Sequence, residues 1–166
     1  MQRVRYWDLA SSLTGDYTCG VRMSKSDHYF CVEDVVRGQW TPHERDNIIL
    51  QTAQLDSYEC GSNAAVHIYI EQEPGSAGLS VIDHLTRLLI GYVVRGDKPT
   101  GDKATRAMPF AAQCEAGNVR VLRADWTNLW LTELTQFPYG AHDDQIDAAT
   151  GAFNHLSLTR PRAGTW

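Results

Sequence analysis

The sequence predicts an α/β domain built on a mixed sheet of five or more strands, three antiparallel and then parallel ones, flanked by helices. Three observations predict it. The first forty residues hold three strand-like runs joined by short turns. After residue 66, short apolar strands alternate with helical patterns. Finally, two predicted strands end on carboxylates, and the last helix begins with three more.

The first run, Arg3 to Leu9, alternates and reaches Asp8 just before the turn Thr14-Gly15-Asp16. Tyr17 to Met23 is the second strand, and His28 to Val36, after Lys25-Ser-Asp27, is the third. Connections this short make an antiparallel meander. Thr41-Pro42-His-Glu44 opens a helix: Thr41 is the N-cap, Pro42 the first helical residue and Glu44 the partner of a capping box. Ile48, Ile49, Thr52, Ala53 and Leu55 form its predicted apolar face.

Val66 to Glu71 is β-branched and aromatic and ends on an acid, followed by Gln-Glu-Pro-Gly. A helix from about Ala77 to Ile90 should pack Leu79, Ile82, Leu85, Leu88 and Leu89. Tyr92 to Arg95 reads as a short strand. Gly101-Asp102 caps a helix that runs to Gly117-Asn118, with Pro109 expected to bend it. Val119 to Leu122 is a further strand, Asn128 to Phe137 a helix, and the segment after Tyr139 the closing helix. Residues 1–157 are expected to form one domain and 158–166, ending Arg160-Pro-Arg-Ala-Gly-Thr-Trp166, a mobile tail. This is the element order of the ribonuclease H-like fold, whose first strand lies centrally beside the fourth. Asp8 and Glu71 would then leave the sheet at the same end.

In the closing segment, Asp143, Asp144 and Asp147 share the first turn of a helix rich in Ala148, Ala149, Gly151 and Ala152. Acids there are favoured by the helix dipole, so capping alone accounts for one or two of them. Small residues would also let the helix lie close to the sheet and hold acids at its end, where oxygen-liganded cations bind. The two distant strand-end acids favour the metal-site reading.

At 166 residues the chain is large enough for one domain with a proper core. No eighteen-residue apolar run and no signal-peptide core occur, which points away from membrane and secretion and toward the cytoplasm. Cys19, Cys31, Cys60 and Cys114 show no C-x-x-C spacing and read as buried free thiols. The net charge of −5 leaves a nucleic-acid partner open, because Arg87, Arg95, Lys98, Lys103 and Arg106 cluster and acids that bind metal also lower the total.

Seven ordered blocks carry a resemblance: Arg5-Tyr-Trp-Asp-Leu-Ala10, Gly15-Asp-Tyr-Thr18, Val35-Val-Arg-Gly-Gln-Trp40, Ile70-Glu-Gln-Glu-Pro-Gly-Ser-Ala-Gly78, Thr100-Gly-Asp-Lys103 with Arg106, Glu115-Ala-Gly-Asn-Val119 and Gly140-Ala-His-Asp-Asp-Gln-Ile-Asp-Ala148. Together they resemble the C-terminal nuclease domain of phage terminase large subunits, over nearly the whole chain. The resemblance implies an endonuclease that uses two Mg²⁺ or Mn²⁺ ions to cut concatemeric double-stranded viral DNA. It also implies a packaging ATPase domain, a small terminase subunit and a portal protein as partners. Carried over by position, Asp8 is the first-strand acid and Glu71 the fourth-strand acid. Asp144, with Asp143 beside it, is the helix acid, and Lys103 and Arg106 are cations facing DNA. Asp147, a turn deeper, is expected on the helix surface or behind the ligands. Trp7 and Trp40 are expected to be packing aromatics.

No G-x-x-x-x-G-K-[ST] phosphate loop is present, so the chain is expected to be an excised domain or a prophage fragment, and Met1 just ahead of the first strand fits excision. A Holliday-junction resolvase of the same fold, or a non-cleaving DNA- or portal-binding module, are the alternatives.

Overall fold

The computed structural model describes residues 1–10 and 14–158. Six strands form one sheet: β1 (Gln2–Asp8), β2 (Thr18–Lys25), β3 (Phe30–Gly38), β4 (His67–Glu71), β5 (Val94–Asp97) and β6 (Val119–Val121). Their spatial order is β5-β4-β1-β2-β3-β6. β1, β2 and β3 pair antiparallel, while β4 joins β1, β5 joins β4 and β6 joins β3 in parallel. This is the ribonuclease H-like arrangement, with the first strand central and beside the fourth.

Five helices cover the sheet: α1 (Pro42–Cys60), α2 (Ser76–Leu88), α3 (Lys103–Glu115), α4 (Thr127–Gln136) and α5 (Asp144–Leu158). Strand alternation divides the core in two. Val4, Tyr6, Val21 and Met23 pack with Phe110 of α3, Trp130 of α4 and Ala148, Ala149 and Ala152 of α5. Trp7, Ile68 and Ile70 pack on the other face with Ile49 and Ala53 of α1 and Leu85 of α2. The short side chains of α5 bring it onto the sheet, and Gly151 lies so close to the Tyr6 ring that a Cβ there would overlap it.

Local signals translate directly at α1. The Thr41 hydroxyl accepts from the Glu44 amide at 3.3 Å, and the Glu44 carboxylate accepts from the Thr41 amide at 2.9 Å, a complete capping box. Elsewhere long-range packing overrides local pattern. Leu55 and Leu79, expected in the core, are 61% and 54% exposed, because α1 and α2 turn Ile49, Ala53 and Leu85 inward. The strand expected at Tyr92 to Arg95 lies two residues later, as β5. The Tyr92 amide donates to the Leu89 carbonyl and closes the turn after α2, so pairing with β4 begins at Val94. α3 continues as one helix through Pro109. Of the four thiols, all free, only Cys19 is fully buried. Trp7 is 1% exposed and packs in the core, and Trp40 lies against Gly38. Of the tail expected at 158–166, Leu158 ends α5, and 159–166, like 11–13, lie outside the described residues. Among the described residues no helix is long and apolar enough to cross a membrane.

Candidate active site

Trp7 faces Ile70 across the parallel β1–β4 pair, so the next residues, Asp8 and Glu71, leave the sheet side by side. Alternation turns both to the side of Tyr6 and Tyr69, which is the face that α5 covers. β5 adds Asp97, in register with Glu71. α5 then brings Asp144 and Asp147 to the same strand ends. The carbonyl of Asp143, just ahead of the helix, accepts the Asp147 amide at 2.9 Å.

Asp8, Glu71, Asp144 and Asp147 act on one another. Burial holds the Asp8 carboxyl well above the usual range, and the charges of Glu71, Asp147 and Asp144 push it further, against the pull of Lys103. Burial also raises Glu71, although Arg106 offsets part of that rise. Asp144 is raised by burial and by the charge of Glu133, against a hydrogen bond from the Tyr17 backbone. Asp147 is raised by burial, partly countered by Lys103.

Lys103, at the start of α3, is the cation inside this cluster. Its ammonium donates to Asp143 at 3.1 Å and also pairs with Asp147. Burial disfavours its charge, but Asp147 and Asp143 outweigh that and leave its pKa raised. The residue expected to face DNA therefore spends donors on the acids. Asp147, expected on the surface or behind the ligands, is only 8% exposed. Asp143 is the outermost of the three helix acids, with 40% of its side chain exposed.

Two further groups were not legible as site residues. The Tyr6 hydroxyl donates to Asp97 at 2.7 Å and lies 3.4 Å from Glu71, and His155 Nε2 is 3.4 Å from Asp97. The signal was available: Tyr6 is two residues before Asp8 on the same strand face, and His155 follows Asp144 by 155 − 144 = 11 residues, about three helical turns. The second is Glu133 of α4, which is 7% exposed and accepts from the Gln145 amide at 2.7 Å and its side chain at 2.6 Å. It thereby ties down the first turn of α5, beside Asp144.

Among the described residues, no three Asp, Glu, His or Cys side chains are gathered tightly enough to form a ready-made metal cage. The donor chemistry nevertheless fits a hard divalent cation, since every acid offers carboxylate oxygen. One atom asks for a partner in particular. Asp144 Oδ2 is buried and accepts no hydrogen bond, and His142 Nδ1 lies 3.9 Å from it, beyond hydrogen-bond distance.

The model of the terminase RNaseH-like domain matches residues 5–156. The chain belongs to that family. No curated protein sequence matches it. Among solved structures, the terminase nuclease domain of human cytomegalovirus, soaked with Mn and inhibitor-bound, superposes with a TM-score of 0.72 at 14% identity, over 93% of this chain and 82% of that one. The large terminase nuclease of thermophilic phage G20c with bound zinc gives 0.66 at 16% identity, over 92% and 80%. Fowlpox virus resolvase, solved with Holliday junction DNA, gives 0.57 at 10% identity, over 94% and 97%. At such identities the likeness is one of fold. This terminase domain thus has the architecture expected of its sequence, with the strand-end acids and the closing helix at one sheet end.

Proposed function

We propose that this terminase domain is a divalent-metal-dependent endonuclease that hydrolyses phosphodiester bonds in concatemeric double-stranded viral DNA during genome packaging. The observation that carries the reading is the convergence of Asp8, Glu71 and Asp144 from two central strands and one helix, with a buried Asp144 oxygen left unbonded. Asp8, Glu71 and Asp144 would hold the ions, with Asp143 at the outer edge, and Mg²⁺ or Mn²⁺ suits such oxygens. The Mn-soaked and zinc-bound states of the two terminase nucleases support divalent metal use here. When bound, two ions would lower the pKa of the attacking water and stabilise charge at the leaving 3′ oxygen.

The protein's own groups do the rest. β1 and β4 fix Asp8 and Glu71 on hydrogen-bonded backbone, so neither acid has to be ordered when substrate arrives. Tyr6, locked under Gly151, limits the freedom of Glu71 from below. Lys103 balances the charge of Asp143 and Asp147, and with Arg106 supplies positive charge beside the acids for the phosphate backbone. The family supports a packaging ATPase domain, a small terminase subunit and a portal protein as partners.

The test is cleavage of supercoiled, linear and four-way-junction DNA with Mn²⁺, with and without EDTA. Supercoiled and linear duplex should be cut, and Asp8→Asn and Glu71→Gln should fall below about one-hundredth of wild type, a barrier increase above about 2.7 kcal/mol. Glu73→Gln, on the exposed residue two further on, should stay active. Preference for the four-way junction would replace this reading with a resolvase. No cleavage of any substrate would leave a DNA-binding module.

A further inference from the structure

Beyond the acids, toward the free edge of the sheet, lies a cleft of about 440 Å³ between the β5–α3 loop and α5. Its walls include Lys98, Arg106, Thr150, Asn154 and His155. A neighbouring cleft shares Lys98 and Arg106 and reaches Glu71. The two form one path, from the site to the flank of α5.

What distinguishes this path is hydrogen-bond donors without acceptors. Arg106 Nε is buried and makes no hydrogen bond. The Thr150 hydroxyl, on a residue 4% exposed, is equally unpartnered. Buried donors in folded proteins are nearly always paired, so two of them lining one cleft point to a ligand that accepts. Lys98 is exposed at the shared mouth and makes no ion pair among the described residues. In the cleft beside α5 the lining carboxylate, Asp97, is already engaged by Tyr6 and His155, while Glu71 and Glu73 line the neighbouring cleft at the end of the path near the acids. Arg106, Lys98, Thr150 and Asn154 line one space, and a guanidinium, an ammonium, a hydroxyl and an amide together suit a tetrahedral oxyanion with several acceptor oxygens.

We infer that this cleft is a phosphate-binding subsite, in which Lys98, Arg106 and Thr150 hold a backbone phosphate of the substrate DNA beyond the bond that is cut. The inference rests on the nuclease reading above and deepens it, by giving one strand a direction: from Glu71 past Lys98 and Arg106 to the Thr150 face of α5. Arg106 acts at both ends, since it also feels the charges of Glu71, Asp97 and Asp147.

The test is binding of a labelled duplex to the Asp8→Asn protein with Mg²⁺, as a function of salt. Adding Lys98→Gln should weaken binding about 5- to 10-fold at 0.1 M salt and reduce the slope of log K against log salt by about 0.9, the effect of one lost phosphate contact. Adding Thr150→Val should weaken binding about 3- to 10-fold with the slope unchanged, because a neutral donor releases no counterion. Thr150→Val removes an unpaired buried hydroxyl, so its melting temperature should hold or rise, and that control separates lost contact from lost fold. Arg87→Gln, at the far end of α2 where Arg87 pairs with Asp83, should match the parent. Affinity within twofold of the parent and an unchanged slope in both cleft variants would overturn the subsite while leaving the nuclease proposal standing. A site for free phosphate would instead show inorganic phosphate raising the parent's melting temperature with DNA affinity unmoved in both variants, and this too overturns it. An Asp8→Asn parent that binds no DNA, with a wild type that cuts none, overturns the nuclease reading itself.

Discussion

Asp56 is a buried charge whose loss should cost this fold heavily. It sits on α1 with 4% of its side chain exposed, under β1 and β2. Its carboxylate accepts from Arg5 Nε at 2.9 Å, Arg5 Nη2 at 2.7 Å and Arg22 Nη1 at 2.6 Å. Arg5 is on β1, three residues before Asp8, and its side chain is 1% exposed. In Asp56→Ala both guanidiniums stay inside. Arg5 keeps Asp34 at 2.7 Å and the Gly20 carbonyl at 3.0 Å, while Arg22 keeps Glu59 at 2.7 Å and Glu33 at 3.2 Å. Because these partners remain, the loss should fall at the lower part of the range for breaking a buried pair, about 3–4 kcal/mol. At roughly 2–4 °C per kcal/mol for a domain of this size, melting should drop by about 6–16 °C. Thermal and urea unfolding followed by circular dichroism would measure it. Arg5→Met combined with Asp56→Leu should recover much of the loss, since the charges then leave together. A single-variant drop below about 1 kcal/mol, or a double variant worse than the single one, would refute the assignment of Asp56 as the charge that holds β1 to α1.

Three other outcomes follow from the site. Metal titration by calorimetry should show binding lost in Asp144→Asn and weakened in Asp143→Asn, while Asp147→Asn, which leaves Lys103 paired with Asp143 alone, should affect stability more than rate; loss of metal binding in Asp147→Asn alone would reverse the helix assignment. Without metal, acidification from pH 7.5 to about 5 should raise the melting temperature, because Asp8, Glu71, Asp144 and Asp147 all have raised folded-state pKa values: what they contribute is fully present below the ordinary carboxylate range and is lost as pH rises through those raised values. The trend should reverse at lower pH, where Asp97, whose pKa is lowered by His155 against burial, loses its contribution; Asp8→Asn should flatten the rise, and a curve falling steadily from pH 7.5 would count against the acid cluster. Gly151→Ala would drive a Cβ into the Tyr6 ring and should cost about 1–3 kcal/mol while loosening the Tyr6–Asp97 bond, with an unchanged melting curve as the contrary result.

What could be read from the sequence is what short-range chemistry decides, and the rest required the sheet. Thr41 and Glu44 announce α1 because the capping box closes within four residues. Asp8 and Glu71 were readable because each ends a β-branched or aromatic run, and the fold's strand order then makes them neighbours. Asp97 was not, because Val-Arg-Gly-Asp has little strand character of its own. β5 exists there because β4 offers it a parallel edge, and Tyr92, which looks the better strand residue, is used to end a helix turn. Losing Asp97 from the reading also lost Tyr6 and His155, whose roles are defined by contact with it. The direction of Lys103 was open for a related reason. A lysine at a helix start can reach solvent or a neighbouring element, and only the placement of α3 against α5 puts two carboxylates within its reach. Lys98 and Arg106, by contrast, make no ion pair among the described residues, which is why the proposed path for a phosphate backbone continues past them toward α5.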